Sequence, residues 1–542
     1  MRRLWWLCSL IVGCGGPAVV APAPTPAAAP EVVVAEPPDT VEPPGLAIEV
    51  RVGEELTAPV EVEVTEQAGS AAWSARPGFT ALRAEDARGP LEVVIDAGAV
   101  RFARAPAPPL TLRYQLRSPT EDDEHRGADP GRVYFDGGAL LLPDEAAATS
   151  LVVAVHPGQP GVHGVASTLG VGEAHAFVAR PEALRDVLWA VGRVDLVRFD
   201  TRDGVDVVAS LGARRFDTRW VGAEIALLRS QVDTYFAAIE PGAFSTLIVS
   251  RPALGRVPPF TAARSGRGMR LIARDDAEWS SEARLPIAQV LVRRWLARAF
   301  VGPDGEDEAW VSLGVTRWIA QRTLTTMGPL TSSELALDLT MLEGALATAE
   351  PGERSPLTAM ARGALYAAGL DARLRRRREL PRNLQHLLLP LLRVAQDEAR
   401  PVRRAELVDA LRAALGDEEV RRFEAQVLGD AVVEVPADAF GPCVRPRTIA
   451  HRRFALGFDA PPPQAEEITV GGVVEGGPAH RAGLRDGQRV RELRYLPGDP
   501  SVEVVAVLEG EPERTVRYLP FDRAARGRGW TRSPRLDEAT CF

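Results

Sequence analysis

The chain of 542 residues contains no lysine, so all 64 of its basic residues are arginine. Its formal net charge is −9, and because general nucleic-acid-binding proteins carry a basic excess, we expect no nucleic-acid partner. It also lacks an uninterrupted run of about 18 apolar residues, so we expect no transmembrane helix. The shares of hydrophobic residues, 46%, and of charged residues, 25%, are typical of a globular protein, and the length allows roughly three or four domains.

The sequence also lacks the residue patterns that bind zinc or activate a nucleophile. No two of its seven histidines stand four residues apart, so no histidine pair shares one helical face as a zinc-binding helix requires. The G-x-S-x-G pattern of a nucleophile elbow is absent as well. These patterns therefore predict no metal site and no cofactor.

The N-terminus resembles a bacterial lipoprotein signal. Two arginines precede a short apolar stretch at residues 4–12, and the stretch ends in Ile-Val-Gly before Cys14. The resemblance implies a signal peptide at residues 1–13 and a lipid anchor at Cys14. Glycine at position 15 favours the outer membrane of a bacterial envelope, with the protein facing the periplasm or the cell surface. The alternative is an ordinary secretion signal with a chance cysteine.

Residues 14–44 are dominated by proline, alanine, valine and glutamate. Proline removes amide donors and favours an extended chain, so we expect no packed core in this segment. The segment is predicted to be a semi-stiff tether between the anchor and the body.

The remaining cysteines predict one disulfide bond. Cys8 belongs to the predicted signal peptide and Cys14 to the lipid site, which leaves Cys443 and Cys541 in the mature chain. Because the envelope is oxidising, we predict that these two are bonded to each other. The alternative is two free thiols.

The periodicity of apolar residues divides the rest of the chain into three parts. Residues 45–220 alternate apolar and polar residues, which predicts an N-terminal antiparallel β domain with one helix near residues 181–192. Residues 221–440 combine short strands with a helical period, which predicts a mainly helical domain with a small sheet. Residues 445–525 return to strands, and residues 526–542 are predicted to be a tail. The predicted fold class is multidomain α+β.

Two segments near the C-terminus resemble PDZ domains. Ala-Leu-Gly-Phe, at the start of this part, is similar to the GLGF-type loop, and GGPAHRAGLRDGQRV is similar to the segment that follows it in PDZ domains. The resemblance implies that the backbone amides of Leu456, Gly457 and Phe458 bind the terminal carboxylate of a peptide. RYLPGDPS separates a predicted strand that ends near Leu493 from one that starts near Val502. This short segment leaves little room for the helix that forms the second wall of a peptide-binding groove. The alternative is therefore a domain used only for packing.

The central part resembles the glycyl-aminopeptidase family of thermolysin-like metallopeptidases. WVSLGVTRW at residues 310–318 is similar to that family's W-x-S-E-G-F-T-x-Y helix, and QVLVRRW at residues 289–295 is similar to its H-E-x-x-H-x-W helix. GALYAAGLDARLRRR at residues 363–377 is similar to a further helix. The resemblance implies a thermolysin-like domain over residues 221–440, flanked by the β domain and the PDZ-like domain.

Carried over to this sequence, the resemblance places the family's zinc ligands at Gln289, Arg293 and Leu313 and its general base at Val290. Glutamine is a poor zinc ligand, valine cannot transfer a proton, and arginine carries a fixed positive charge that repels a divalent cation. We therefore predict a lipid-anchored, catalytically inactive homologue that binds peptides or envelope proteins through its cleft or its PDZ-like domain. The alternatives are an active zinc aminopeptidase or other hydrolase with a non-standard site, and a passive scaffold without a ligand.

Overall fold

The structure of the protein is a computed structural model. It describes residues 44–542 except 76–77, 97–98, 118–125, 145, 203, 238–242, 253–258, 266–267, 301–308, 378–382, 460–467, 496–497, 511–513, 535 and 537–542. The predicted signal peptide, Cys14, nearly all of the tether and Cys541 lie outside the described residues. None of the helices in the described part is long and apolar enough to cross a membrane.

Alternating apolar residues build the N-terminal sheets. In the first strand, for example, Leu46, Ile48 and Val50 are buried and the residues between them are not. The strands are β1 (Leu46–Arg51), β2 (Val60–Glu66), β3 (Ala72–Ser74), β4 (Phe79–Asp86), β5 (Gly89–Leu91), β6 (Val93–Asp96), β7 (Ala99–Phe102), β8 (Leu110–Leu116), β9 (Arg126–Asp129), β10 (Arg132–Asp136), β11 (Leu142–Pro143), β12 (Thr149–His156), β13 (Gly164–Ser167), β14 (Gly170–Val171), β15 (Ala174–Ala179) and β16 (Leu188–Gly192). They form sheets of order β15-β12-β1-β2-β8-β4-β5, β14-β13-β16-β10-β9 and β11-β3-β7-β6. Strands β1 and β12 are parallel and the other neighbours are antiparallel.

The prediction of a helix near residues 181–192 is wrong. A 3₁₀ turn spans Pro181–Leu184, and strand β16 follows with every residue buried. Because β16 is covered on both faces, its sequence shows no polar alternation, and a short apolar run of this kind is ambiguous between helix and strand.

The central sheet begins earlier than the boundary predicted at residue 220. Its elements are β17 (Asp195–Thr201), β18 (Gly204–Leu211), α1 (Thr218–Tyr235), β19 (Phe244–Arg251), β20 (Phe260–Ser265) and β21 (Gly268–Arg274). The order is β17-β18-β19-β21-β20. β18 pairs in parallel with β19, and β19 with β21, so β17 and β18 belong to this sheet rather than to the N-terminal domain. β20 is an antiparallel edge strand.

Long amphipathic segments form the helical part that packs on this sheet. The helices are α2 (Ser281–Phe300), α3 (Thr316–Met327), α4 (Ser332–Ala347), α5 (Pro356–Arg375), α6 (Leu384–Asp397), α7 (Arg404–Leu415) and α8 (Asp417–Phe423). Two π-helical segments, Trp310–Val315 and Glu424–Leu428, run directly into α3 and out of α8. One continuous hydrophobic core contains residues from α1, the sheet and these helices.

The C-terminal part consists of a ribbon and a small sheet. Its elements are β22 (Val444–Phe454), β23 (Ile468–Thr469), α9 (Pro478–Ala482), β24 (Arg489–Arg494), β25 (Val504–Leu508), β26 (Arg514–Tyr518) and β27 (Phe521–Arg532). β23, β24, β25 and β26 form the small sheet, which has its own hydrophobic cluster. β22 and β27 pair with each other as a C-terminal ribbon that packs against α4.

The predicted division at residues 525 and 526 falls inside β27. Trp530, in the predicted tail, is 2% exposed, and its backbone N–H donates to Thr340 Oγ1 on α4 at 2.8 Å. Arg528 Nε donates to Glu343 Oε1, also on α4, at 2.6 Å. The arginine and glycine content of residues 521–532 conceals the strand period, because this ribbon is fixed by contacts with a distant helix rather than by local propensity.

Candidate functional site

Two adjoining segments carry the four positions singled out in the central domain. Gln289, Val290 and Arg293 lie on α2, and Leu313 lies in the Trp310–Val315 π segment, which packs against α2. Gln289, Val290 and Leu313 are half-buried and Arg293 is exposed. No described residue forms a hydrogen bond or ion pair with the side chain of Gln289 or Arg293.

A buried ion cluster of Asp206, Arg229, Asp233 and Arg294, the α1–α2 ion cluster, holds α2 against α1. Each of the four residues is at most 6% exposed. Arg229 pairs with Asp206, and its Nε lies 3.6 Å from Asp233 Oδ2. Arg294 pairs with Asp233, so the cluster joins β18, α1 and α2. Removing one partner would leave an uncompensated charge in the core.

Aromatic residues complete the surroundings of this cluster. Trp295 Nε1 donates to Asp233 Oδ1 at 3.0 Å. The guanidinium carbons of Arg229 and Arg294 lie 5.1 and 5.6 Å from the centre of the Phe244 ring. Burial raises the pKa of Asp206 to about 6 and also raises the pKa of Asp233, although the arginines oppose the shift. The cluster gives Trp295 a structural role, because its indole N–H binds the shared carboxylate of Asp233.

Close backbone contact fixes the π segment. A Cβ on Gly314 would lie 2.5 Å from Gly363 Cα, and one on Gly363 would lie 2.0 Å from the Trp310 carbonyl oxygen. The Trp310 ring contacts Tyr366 and Phe423, with centroid distances of 6.5 and 5.2 Å. Two of the residues shared with the peptidase motif, Trp310 and Gly314, therefore serve packing against α5 and α8.

The residues at the four positions do not fit a zinc ion. Zinc in peptidases takes imidazole nitrogen and carboxylate oxygen, whereas an amide, two aliphatic side chains and a guanidinium stand here. Across the described part of the chain, no group of three or more His, Cys, Asp or Glu side chains is arranged to hold a metal ion. The chemistry of this donor set supports neither metal-bound water nor a general base at Val290.

One polar network near the π segment was not foreseen from the sequence. Tyr366 Oη donates to Glu419 Oε1 at 2.9 Å, and Arg373 donates to both carboxylate oxygens of Glu419 at 2.8 Å. Burial raises the pKa of Tyr366, and the contact with Glu419, which is 1% exposed, raises it further. The network closes the space between α5 and α8. Only the long i,i+7 spacing of Tyr366 and Arg373 on one helix face signals it in the sequence.

A serine and a histidine also meet in the N-terminal domain. Ser167 Oγ lies 3.1 Å from His175 Nε2, and burial lowers the pKa of His175. Ser167 is fully buried, donates to the Gly170 carbonyl and accepts from the Leu169 N–H. A hydroxyl enclosed in this way stabilises the β13–β14 turn and offers no accessible nucleophile.

The edge of the central sheet lies next to α2. β20 is hydrogen-bonded to β21 on one side, and among the described residues no strand pairs with its other side. β20 also packs against α2. An open strand edge can accept an extended peptide as a further strand.

The backbone of the loop at Leu456, Gly457 and Phe458 is held through its carbonyl groups. The Leu456 carbonyl accepts from Tyr518 Oη at 2.6 Å, and the Gly457 carbonyl accepts from the Val474 N–H at 3.0 Å. The three amides of the loop donate to no described residue. Gly457 has a φ of +85° and lies against Pro478 and Ala479, so a side chain does not fit at this position.

The small sheet offers little more than this loop. The described residues between β24 and β25 contain no helix. Leu456 and Phe458 are each 7% exposed because their side chains belong to the core of the small sheet. The structure thus places the three predicted residues together, with free amides but without a helical wall.

Cys443 is fully buried at the start of the ribbon and takes part in a disulfide bond. Its predicted partner, Cys541, lies outside the described residues. The pairing of these two cysteines therefore stays a prediction.

Comparisons with known proteins give a clear likeness only at the level of structure. No protein-family model and no curated protein matches the sequence. A crystal structure of an aminopeptidase N family protein from Idiomarina loihiensis is similar over 90% of this chain and 98% of its own, with a TM-score of 0.65 and 15% identity. An M1 zinc metallopeptidase from Deinococcus radiodurans is similar over 72% of this chain and 95% of its own, with a TM-score of 0.50 and 15% identity.

These similarities define the class of fold. The protein has a multidomain α+β fold of the M1 aminopeptidase type, with N-terminal β sheets, a central helical region and small C-terminal sheets. The predicted fold class is confirmed at this level. At 15% identity the likeness concerns the fold and does not extend to activity.

Proposed function

We propose that this protein is a non-catalytic relative of M1-type aminopeptidases that binds peptides at the bacterial cell envelope. The observation that carries the proposal is the set of residues on the α2 scaffold. Gln289, Val290, Arg293 and Leu313 stand where the sequence resemblance places the metal ligands and the base. Trp310 and Gly314, beside them, keep their packing roles.

The chemistry of the four side chains favours a protein without catalytic activity over one with a modified catalytic site. One replaced ligand can be compensated, but here an amide, two apolar side chains and a fixed cation replace the whole set. The positive charge of the Arg293 guanidinium repels a divalent cation. A peptide held in the cleft would therefore be bound and not hydrolysed.

The open edge of β20 supports peptide binding in the cleft. Backbone groups on that edge can bind an extended chain regardless of its sequence, and side chains of the neighbouring helix then select among ligands. The loop at Leu456–Phe458 is a second candidate site, supported by its three free amides. A site of this kind favours a terminal carboxylate over an internal segment.

The envelope location rests on the sequence alone. The signal-like residues 1–13, Cys14 and the proline-rich residues 14–44 support a lipid anchor in the outer membrane. Mass spectrometry of the membrane fraction tests this part. We expect an acylated N-terminal Cys14, and a soluble, unacylated C14S variant; an unmodified wild-type protein would refute the anchor.

Metal content and activity test the central proposal. We expect purified full-length protein to contain no stoichiometric zinc and to release no amino acid from peptides with N-terminal glycine or alanine. The matched control is the same assay with added zinc followed by a chelator. Aminopeptidase activity that the chelator abolishes would overturn the proposal in favour of a working hydrolase.

A further inference from the structure

The exposed face of α2 presents a cation that no described residue neutralises. Arg293 is exposed and has no hydrogen bond or ion pair with the described residues. Its neighbours one helical turn away are Gln289, Val290, Leu296 and Ala297, none of which is charged. In contrast, the next residue, Arg294, is buried and held by Asp233.

Among the described residues, the carboxylates of Glu282 on α2 and Glu224 on α1 are either distant from Arg293 or already paired. Glu282, at the N-terminal end of α2, is eleven residues away, which corresponds to roughly 16 Å along the helix axis. Glu224, on α1, is bound by Arg284 through contacts of 2.5 and 3.2 Å. Strand β20, which packs against α2, contains no acidic residue. On these described elements, no acidic side chain is thus available to Arg293, whose charge is complementary to an anion.

Gln289 lies one turn before Arg293 on the same face. Its half-buried amide is also without a partner among the described residues. A guanidinium can bind a carboxylate through two parallel N–H···O bonds, and an amide N–H can add a third bond to the same group. The apolar side chains of Val290 and Leu313, both half-buried, adjoin this pair and reduce competition from water.

We infer that Gln289 and Arg293 form a carboxylate-binding site for a peptide that lies along the open edge of β20. The inference rests on the proposed peptide-binding function and deepens it. The side chains at the positions of the metal ligands would thus bind an anion, whereas metal ligands bind a cation. The carboxylate belongs either to the C-terminus of the peptide or to an acidic side chain.

Fluorescence anisotropy with the full-length protein tests the inference. The probes are N-terminally fluorescein-labelled Thr-Val-Thr-Val-Ala with a free carboxylate, the same peptide as an amide, and Thr-Val-Glu-Val-Ala as an amide; their β-branched residues favour the extended form. We expect at least one carboxylate probe to bind about tenfold or more tightly than the uncharged amide, and raised salt to narrow the difference. Tighter binding of the first probe identifies a C-terminus, and tighter binding of the third identifies a side chain.

Variants assign the effect to the site. Arg293→Gln should weaken the preferred carboxylate probe about tenfold or more and leave the uncharged amide unchanged. Arg293→Lys should fall between, because lysine keeps the charge but loses the paired geometry. The matched control is Arg83→Gln, the same charge change at another exposed, unpaired arginine on β4, which should have no effect.

The outcomes separate this inference from the proposed function. If all three probes bind equally and Arg293→Gln changes nothing, the carboxylate site is refuted while peptide binding stands. If none of the probes binds, both the site and peptide binding in the cleft are refuted. Loss of all three probes in Arg293→Gln would also refute a carboxylate-specific role.

Discussion

The α2 site and the Leu456–Phe458 loop differ in what each retains. On α2 the ion cluster and the contact between Gly314 and Gly363 fix the helix and the π segment, while an amide, two apolar side chains and a guanidinium stand at the four predicted positions. At the loop the binding groups are present, as three free amides, while the surrounding groove lacks a helical wall among the described residues. The α2 region thus has a well-packed framework, and the Leu456–Phe458 loop has unpaired backbone N–H donors.

The difference follows from where each function resides. Catalytic groups are side chains, so substitution removes them without disturbing backbone packing. The donors of the loop are backbone amides, which no substitution removes as long as Gly457 keeps its positive φ. A backbone site therefore survives sequence drift better than a side-chain site, but it depends more strongly on its neighbours for selectivity.

The strongest test of the α2 framework is Asp233→Ala. The substitution leaves Arg294 and Arg229 buried without their shared carboxylate, so we expect the free energy of unfolding to fall by about 3–5 kcal/mol. Urea unfolding followed by circular dichroism measures the change. Asp409→Ala serves as control, because Asp409 forms an exposed pair with Arg412 and should cost at most about 1 kcal/mol. Equal losses in the two variants would contradict the framework role of the cluster.

The glycine contact is the next largest effect. Gly363→Ala places a Cβ 2.0 Å from the Trp310 carbonyl oxygen, which a backbone group cannot avoid without moving, so we expect a loss of about 3 kcal/mol. Thermal unfolding measures it. Gly471→Ala is the matched control, because a Cβ there meets no atom within 4 Å. A stable Gly363→Ala variant would show that the π segment is not fixed by this contact.

The ion cluster also predicts a pH dependence. The pKa of Asp206 is raised to about 6 from an ordinary value of 3.8, so the folded state takes up a proton at higher pH than the unfolded state. The stability that proton uptake by Asp206 contributes is therefore present at low pH and declines as pH rises from about 4 to 6. We expect the stability of the wild type relative to Asp206→Asn to fall by about 1–2 kcal/mol across this range. A difference in the free energy of unfolding between wild type and Asp206→Asn that stays constant from pH 4 to 7 would contradict the raised pKa.

The smallest effect concerns the loop. Tyr518→Phe removes the hydroxyl that holds the Leu456 carbonyl at 2.6 Å, so we expect a loss of about 1 kcal/mol in stability. We also expect weaker binding of peptides with a free carboxylate, measured by calorimetry against their amides. Tyr495→Phe, in the same cluster, provides the comparison. Unchanged selectivity for the carboxylate in Tyr518→Phe would separate the loop from that hydrogen bond.

The sequence predicts well those parts of the fold that follow from local pattern. Alternation in the N-terminal strands and the helical period of α2 to α8 both appear in the structure, because one face of each element meets a core. The joining of α2 to the π segment is also foreseen, since the motif residues Trp295 and Trp310 are anchored in that core. The candidate site is thus located by its packing residues rather than by its chemistry.

Features that depend on distant partners are not predicted. Strand β16 reads as a helix because both of its faces are covered, and residues 526–532 read as a tail because α4 supplies their partners. The ion cluster joins residues 206, 229, 233 and 294 from three elements. Single arginines and aspartates in an arginine-rich sequence give no sign of which pairs become buried.

The C-terminal ribbon has a mechanical consequence. Its two strands are hydrogen-bonded along their length, from Val444 opposite Arg532 to Phe454 near Phe521, and Arg528 and Trp530 tie one end to α4. The ribbon therefore connects α4 to the small sheet through a hydrogen-bonded ladder with one irregularity, at Arg453 and Phe454. A ligand long enough to touch both the α2 face and the small sheet would meet them at a set spacing, so linker length in a two-headed peptide should act as a ruler.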